Sequence, residues 1–206
     1  PTPSIWTDDD LGKLANTMAA RILAYSSRNT TEDTNNDWTA IKNYALNGLD
    51  KDFTLVLDGD QWYNLYTLYA NFSGWGRIDM RIINMLDPSM DPWFPPTGNY
   101  TDLPNNGLAT SNDARLSSDF EYISSQDFKP ERGYYHFSTY RYSRYDDIAN
   151  SGFPGSGEWA YIRKAENDLL LAEAYIKADN DLNSAKTILN NPSNSRKTRG
   201  GLPDVT

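Results

Sequence analysis

Apolar residues keep their longest unbroken helical period between Glu158 and Lys177, EWAYIRKAENDLLLAEAYIK, a stretch with no Gly or Pro inside it. At 100° per residue, Ile162, Ala165, Leu169, Ala172 and Ile176 fall within about 80° of one another, which predicts one buried stripe on a core-facing helix. Leu171 and Ala174 lie on the far side, so this helix is expected to be covered twice. The small Ala165 and Ala172 would admit a neighbouring backbone at close range.

The rest of the chain reads as helices grouped around that one. Thr7 can cap a helix whose first turn holds Asp8, Asp9 and Asp10, where the helix dipole favours acids, and Leu11, Leu14, Met18, Ile22 and Tyr25 form its apolar face. Asp37 can cap a second helix through Trp38, Ile41 and Ala45 that ends at Gly48. Phe53, Leu55 and Leu57 alternate, as a short strand or an extended lead into the next helix would. Helical segments are expected at about 61–70 and 77–86, the latter stopped by Asp87 and Pro88, and Leu182, Ala185, Ile188 and Leu189 predict a short helix ended by Pro192. This pattern lacks the strict period of a solenoid but predicts an all-α fold of paired helices with a large interruption, a single domain over 1–206 with a scaffold at 7–86 and 158–190.

Between them, 87–157 changes character. It holds most of the chain's 11 prolines and is rich in aromatics, so it reads as a long, loop-rich insertion, which in a compact domain is often functional. Within it, RGYYHFSTYRYSRY (132–145) places rings on both faces of an extended strand. Such a strand can be sandwiched in a core, or it can present rings with polar handles as a recognition platform. The candidate ligand-binding residues on the second reading are Trp75, Trp93, Tyr134, Tyr135, Tyr140 and Tyr142.

Composition then removes several functions. A net charge of −9 argues against nucleic acid, whose phosphates need a basic face, and suits a neutral or cationic ligand. With no Cys and one His, His136, no zinc thiolate site or cysteine nucleophile can form, and no metal or cofactor is expected. Asp58, Gly59 and Asp60 resemble a scrap of a calcium loop without its remaining ligands. Glu166 and Glu173 share a helix face, but two turns is roughly 10 Å, wide for a glycosidase pair, and a structural role explains them. No apolar run approaches a membrane span of roughly 18 residues. The 14 tyrosines stand out in a chain whose mean hydropathy is −0.70, since so many rings in so polar a chain must do more than fill a core.

YIRKAENDLLLAEAYIK followed by NSRKTRGGLPDV resembles the C-terminal signature of the SusD/RagB family, outer-membrane nutrient-binding lipoproteins of Bacteroidetes. MAARILAYSSRNT, DWTAIKNYALNGLDKDF, WGRIDMRIINMLDP and RGYYHFSTYRYSRY fall in the order of that family's middle region. The resemblance implies an all-α scaffold of tetratricopeptide-like helical hairpins in an α-α superhelix, no enzymatic activity, and capture of an oligosaccharide for a partner SusC-like TonB-dependent transporter. It also implies an internal fragment of a longer precursor held at the cell surface by a lipid anchor that this chain lacks. The competing reading is a helical-repeat module that binds another protein. A glycoside hydrolase ranks below both, because no nucleophile elbow or histidine-metal motif is present.

Overall fold

The acids behind Thr7 do open a helix. The Thr7 hydroxyl accepts the Asp10 amide while the Asp10 carboxylate accepts the Thr7 amide, a reciprocal capping box. The structure, a computed structural model, describes residues 6–73, 76–92, 107–124, 138–151 and 155–206. In chain order its elements are α1 (Asp8–Tyr25), α2 (Thr30–Thr34), α3 (Trp38–Leu46), β1 (Phe53–Asp58), α4 (Leu65–Asn71), α5 (Met80–Leu86), α6 (Arg115–Asp119), β2 (Phe120–Tyr122), β3 (Tyr140–Tyr142), α7 (Asp146–Ala149), β4 (Ser156–Ile162), α8 (Lys164–Asp179), α9 (Leu182–Leu189) and α10 (Ser195–Thr198).

The all-α, tetratricopeptide-like expectation is corrected by this list. The described residues are about 49% helical with 12% in strands, which form two small antiparallel sheets, β1 with β4 and β2 with β3. The error at Glu158–Ile162 has a physical cause. The four apolar residues Trp159–Ile162 fit either period, and here backbone pairing with β1 decides, with Glu158 also accepting a hydrogen bond from Thr54 at 2.7 Å. The long helix therefore starts only at Lys164, whose amide donates to Asp52.

The chain divides into two compact units, one holding the residues up to Val56 and from Glu158 on, the other Leu57–Gly157. In the first, α3 packs on both α1 and α8, and α9 packs on α8. Its core is Ala20, Ala24, Trp38, Ile41, Ala45, Leu170 and Ala174. The face of α3 is the expected one, Trp38, Ile41 and Ala45, but α1 and α8 are turned otherwise. On α1 the buried residues are Asp10, Thr17, Ala20 and Ala24, while Ile22 and Tyr25 of the large apolar stripe are each 62% exposed. On α8 they are Asn167, Leu170, Ala172 and Ala174, leaving Leu169 56% and Ile176 41% exposed.

Small residues at the contact let the three helices approach closely, and a buried polar network locks them. The Thr17 hydroxyl donates to Asn167 Oδ1 at 2.9 Å and accepts the Leu49 amide at 2.8 Å, and Asn167 Nδ2 donates to the Ala45 carbonyl at 2.9 Å. Each side chain of this network has its partner, which is what makes it tolerable in a core.

The second unit takes in α4 and α5 as well as the aromatic-rich stretch. Its core is Ile83, Met90 and Tyr140, with Ile78, Ala109, Leu116, Phe120 and Tyr122 against them. Asp87, at the end of α5, ties this unit together through the Thr110 amide at 2.6 Å and the Ser89 hydroxyl at 2.7 Å. Those donors, the Thr110 amide foremost, hold its carboxyl at about 2. Asp10 is likewise held at about 2, by Lys51 first and then by Thr7.

Both carboxyls are depressed in the folded chain, so their stabilisation is complete above the ordinary Asp value of about 4 and is lost as pH falls through about 2. The melting temperature is therefore expected to be flat from pH 7 to pH 5 and to drop below pH 4. Asp87→Asn should melt lower than the parent at pH 7 but lose less between pH 5 and pH 2. Parallel curves for the two proteins in scanning calorimetry would show that Asp87 does not carry this dependence.

Candidate functional site

The second unit presents a row of aromatic rings on a rigid mount. The mount begins at the turn Asp58-Gly59-Asp60. Asp58 Oδ1 accepts the amides of Asp60 at 3.0 Å and Trp62 at 2.8 Å. The amides of Asp58 and Gly59 in turn donate to the Trp62 carbonyl at 2.9 and 3.1 Å. Gly59 sits at φ 77°, a left-handed conformation that other residues rarely adopt. The Trp62 amide above all holds the Asp58 carboxyl below the usual carboxylate range, so the turn stays charged and closed at neutral pH. The indole of Trp62 projects from this closed loop 66% exposed, beside the half-exposed Tyr63.

The helix that follows continues the row. On α4, Leu65, Tyr69 and Phe72 are spaced by four and three and share one face, because helical hydrogen bonding runs on through the Phe72 amide to Leu68 O at 3.1 Å. All three are exposed, Phe72 by 52%. Leu68, on the flank of that face beside Phe72, is half-buried. A Cβ at Gly155 would lie 3.3 Å from both the Leu68 Cδ1 methyl and Tyr63 Cβ, so that surface is occupied.

The end of α4 is fixed by Asn71, which is buried. Its carbonyl accepts from Arg141 Nη1 at 2.8 Å, and its side-chain oxygen accepts the Tyr145 amide at 3.2 Å. Arg141 is at once a fork onto Asp146, with Nη1 to Oδ1 at 2.7 Å and Nη2 to Oδ2 at 2.6 Å, and a partner of Glu121 across the β2–β3 ladder. Asp146, ahead of Glu121, pushes the guanidinium further up, and a permanent cation against a helix C-terminal carbonyl is favourable.

The residues singled out by sequence fall elsewhere. Trp75, Trp93, Tyr134 and Tyr135 lie outside the described residues, as does His136. Tyr140 is a core residue: its ring meets Tyr122 edge-on at 5.5 Å and its hydroxyl accepts the Ala109 amide at 2.8 Å. Burial above all pushes that phenol up. A ring enclosed in this way offers no face to a ligand. Tyr142 is half-buried between Phe120 and Tyr145, each centroid 5.8 Å away. Glu166 is paired to Arg21 at 3.1 Å, and Glu173 stands exposed on the same helix.

Sequence reasoning missed Trp62, Tyr69 and Phe72. The signal was present as rings at helical spacing just behind an Asp-Gly turn, a place where a core has no need of them. No group of three or more acidic or histidine side chains suited to a metal occurs among the described residues. No family model, curated protein or solved structure matches the chain.

Proposed function

We propose that the protein is a non-catalytic, surface-displayed binder of a neutral oligosaccharide, and that the rings of Trp62, Tyr63, Tyr69 and Phe72 are its platform. The supporting observation is the row itself, large rings held outward on a hydrogen-bonded turn and a clamped helix. An aromatic face can stack on the C–H face of a pyranose, and a backbone already held in place loses little entropy when its rings do so. Asp60 and Gln61, exposed beside Trp62, supply polar groups for sugar hydroxyls. The net charge of −9 favours an uncharged glycan over an anionic one.

The SusD/RagB resemblance supplies the wider setting of this reading. In it the chain belongs to a lipid-anchored protein of the outer membrane, which passes the captured glycan to a SusC-like TonB-dependent transporter. A glycan array probed with the full chain tests the binding, with retention of a neutral oligosaccharide expected. Trp62→Ala should then weaken that glycan by about 2 kcal/mol, roughly thirtyfold, while leaving the melting temperature unchanged because the indole is exposed. An array without any bound glycan, or Trp62→Ala binding as the parent does, would reject the platform.

A further inference from the structure

The first unit carries an apolar surface that the glycan reading does not use. The α1 stripe Leu11, Leu14, Met18, Ile22 and Tyr25 spans about 80° of arc at 100° per residue. It faces away from the small residues that pack on α3, with Leu14 and Met18 half-buried and the other three exposed. On α8 the exposed Leu169 and Ile176 belong to the corresponding stripe.

The two stripes adjoin. Arg21 of α1 pairs with Glu166 of α8 at 3.1 Å, which brings the flanks of the two stripes together. Both helices pack on α3 and on each other, so their large side chains form one furrow rather than two separate ridges.

The charge along the furrow is one-sided. Arg21 is committed to Glu166, Lys177 is turned to Asp33 at 2.8 Å and the Trp38 ring, and Glu173 is left exposed between Leu169 and Ile176. We propose that this α1–α8 furrow docks an amphipathic helix of a protein partner, its apolar stripe seated on Met18, Ile22, Leu169 and Ile176 and its flank supplying a Lys or Arg to Glu173. Helix-in-groove recognition needs apolar anchors at three- and four-residue spacing, which both stripes supply. A second copy of the chain would bring the same carboxylate to the same place and add to a net charge of −9, and an anionic bilayer would be repelled likewise.

The probe is a fluorescein-labelled 18-residue helix with a leucine stripe and lysine flanks, compared with the same peptide carrying glutamate flanks. Anisotropy titration of the full chain is expected to show the lysine peptide binding at least tenfold tighter. Ile22→Asn with Leu169→Asn should remove most of that binding, and Glu173→Lys should abolish the preference for lysine. All three positions are exposed, so circular dichroism should report an unchanged fold. The proposal is overturned by equal binding of the two peptides, by binding insensitive to Leu169→Asn, by sedimentation showing that a dimer of the chain covers the furrow, or by uptake onto phosphatidylcholine and phosphatidylglycerol vesicles that Leu169→Asn abolishes.

Discussion

Gly48→Ala is expected to lower the melting temperature of the first unit by roughly 20 °C, from a loss of about 4 kcal/mol. A Cβ at this position would lie 2.1 Å from Asn167 Oδ1, 2.6 Å from Thr17 Oγ1 and 2.7 Å from Asn167 Cγ. None of these atoms can retreat cheaply, because Thr17 and Asn167 are buried and hydrogen-bonded to each other and to the backbone of Leu49 and Ala45. The methyl must displace the amide, so the Thr17 hydroxyl loses its acceptor and the Ala45 carbonyl one of its two donors. Overpacking costs about 1–3 kcal/mol and each buried hydrogen bond lost about 1 kcal/mol more.

Gly12→Ala is the matched control. It lies inside α1, and a methyl added there would meet nothing within 4 Å, so the same chemical change should stabilise the helix by about 1 kcal/mol. Scanning calorimetry of the two variants should therefore move in opposite directions. A Gly48→Ala protein that melts with the parent would mean that the Thr17–Asn167 network does not lock α1, α3 and α8 together.

Arg141→Met carries the second large effect, about 3 kcal/mol, and it acts on the second unit. Methionine keeps the aliphatic stem but removes every donor, stranding the Asp146 carboxylate and the Asn71 carbonyl. Glu121 adds little to this figure, since its side chain is 55% exposed and its pairing is screened by water. The loss should be local before it is global. Amide hydrogen exchange is expected to speed up from Leu65 to Phe72, where α4 loses its clamp, while α1, α3 and α8 exchange as before. Unchanged exchange over α4 would show that the aromatic row is supported by something other than Arg141.

Much of the scaffold was legible in sequence because it rests on local rules. Thr7 and Asp37 cap their helices through their own side chains, Trp38, Ile41 and Ala45 bury the face their spacing describes, and Asp181 opens α9. The orientation of α1 and α8 was not legible, because a hydrophobic period assumes that the largest apolar residues go inward. Here close helix approach selects Ala20, Ala24 and Ala174, and polar Thr17 and Asn167 read as surface until their partners are seen together. β4 was hidden for a similar reason, since its pairing partner β1 lies 104 residues away at the Thr54–Glu158 contact. The aromatic count pointed to recognition, but the exposed row on Trp62 and α4 lies upstream of the stretch that drew attention.

The claim that Trp62 touches sugar is tested most directly by fluorine NMR of the chain labelled with 5-fluorotryptophan. The six tryptophans give separate reporters, and the Trp62 signal is assigned by its loss in Trp62→Phe. On titration with the neutral glycan retained by the array, the Trp62 resonance should shift or broaden in step with binding, while that of the buried Trp38 stays in place. A glycan that binds and leaves the Trp62 resonance unmoved would contradict the account.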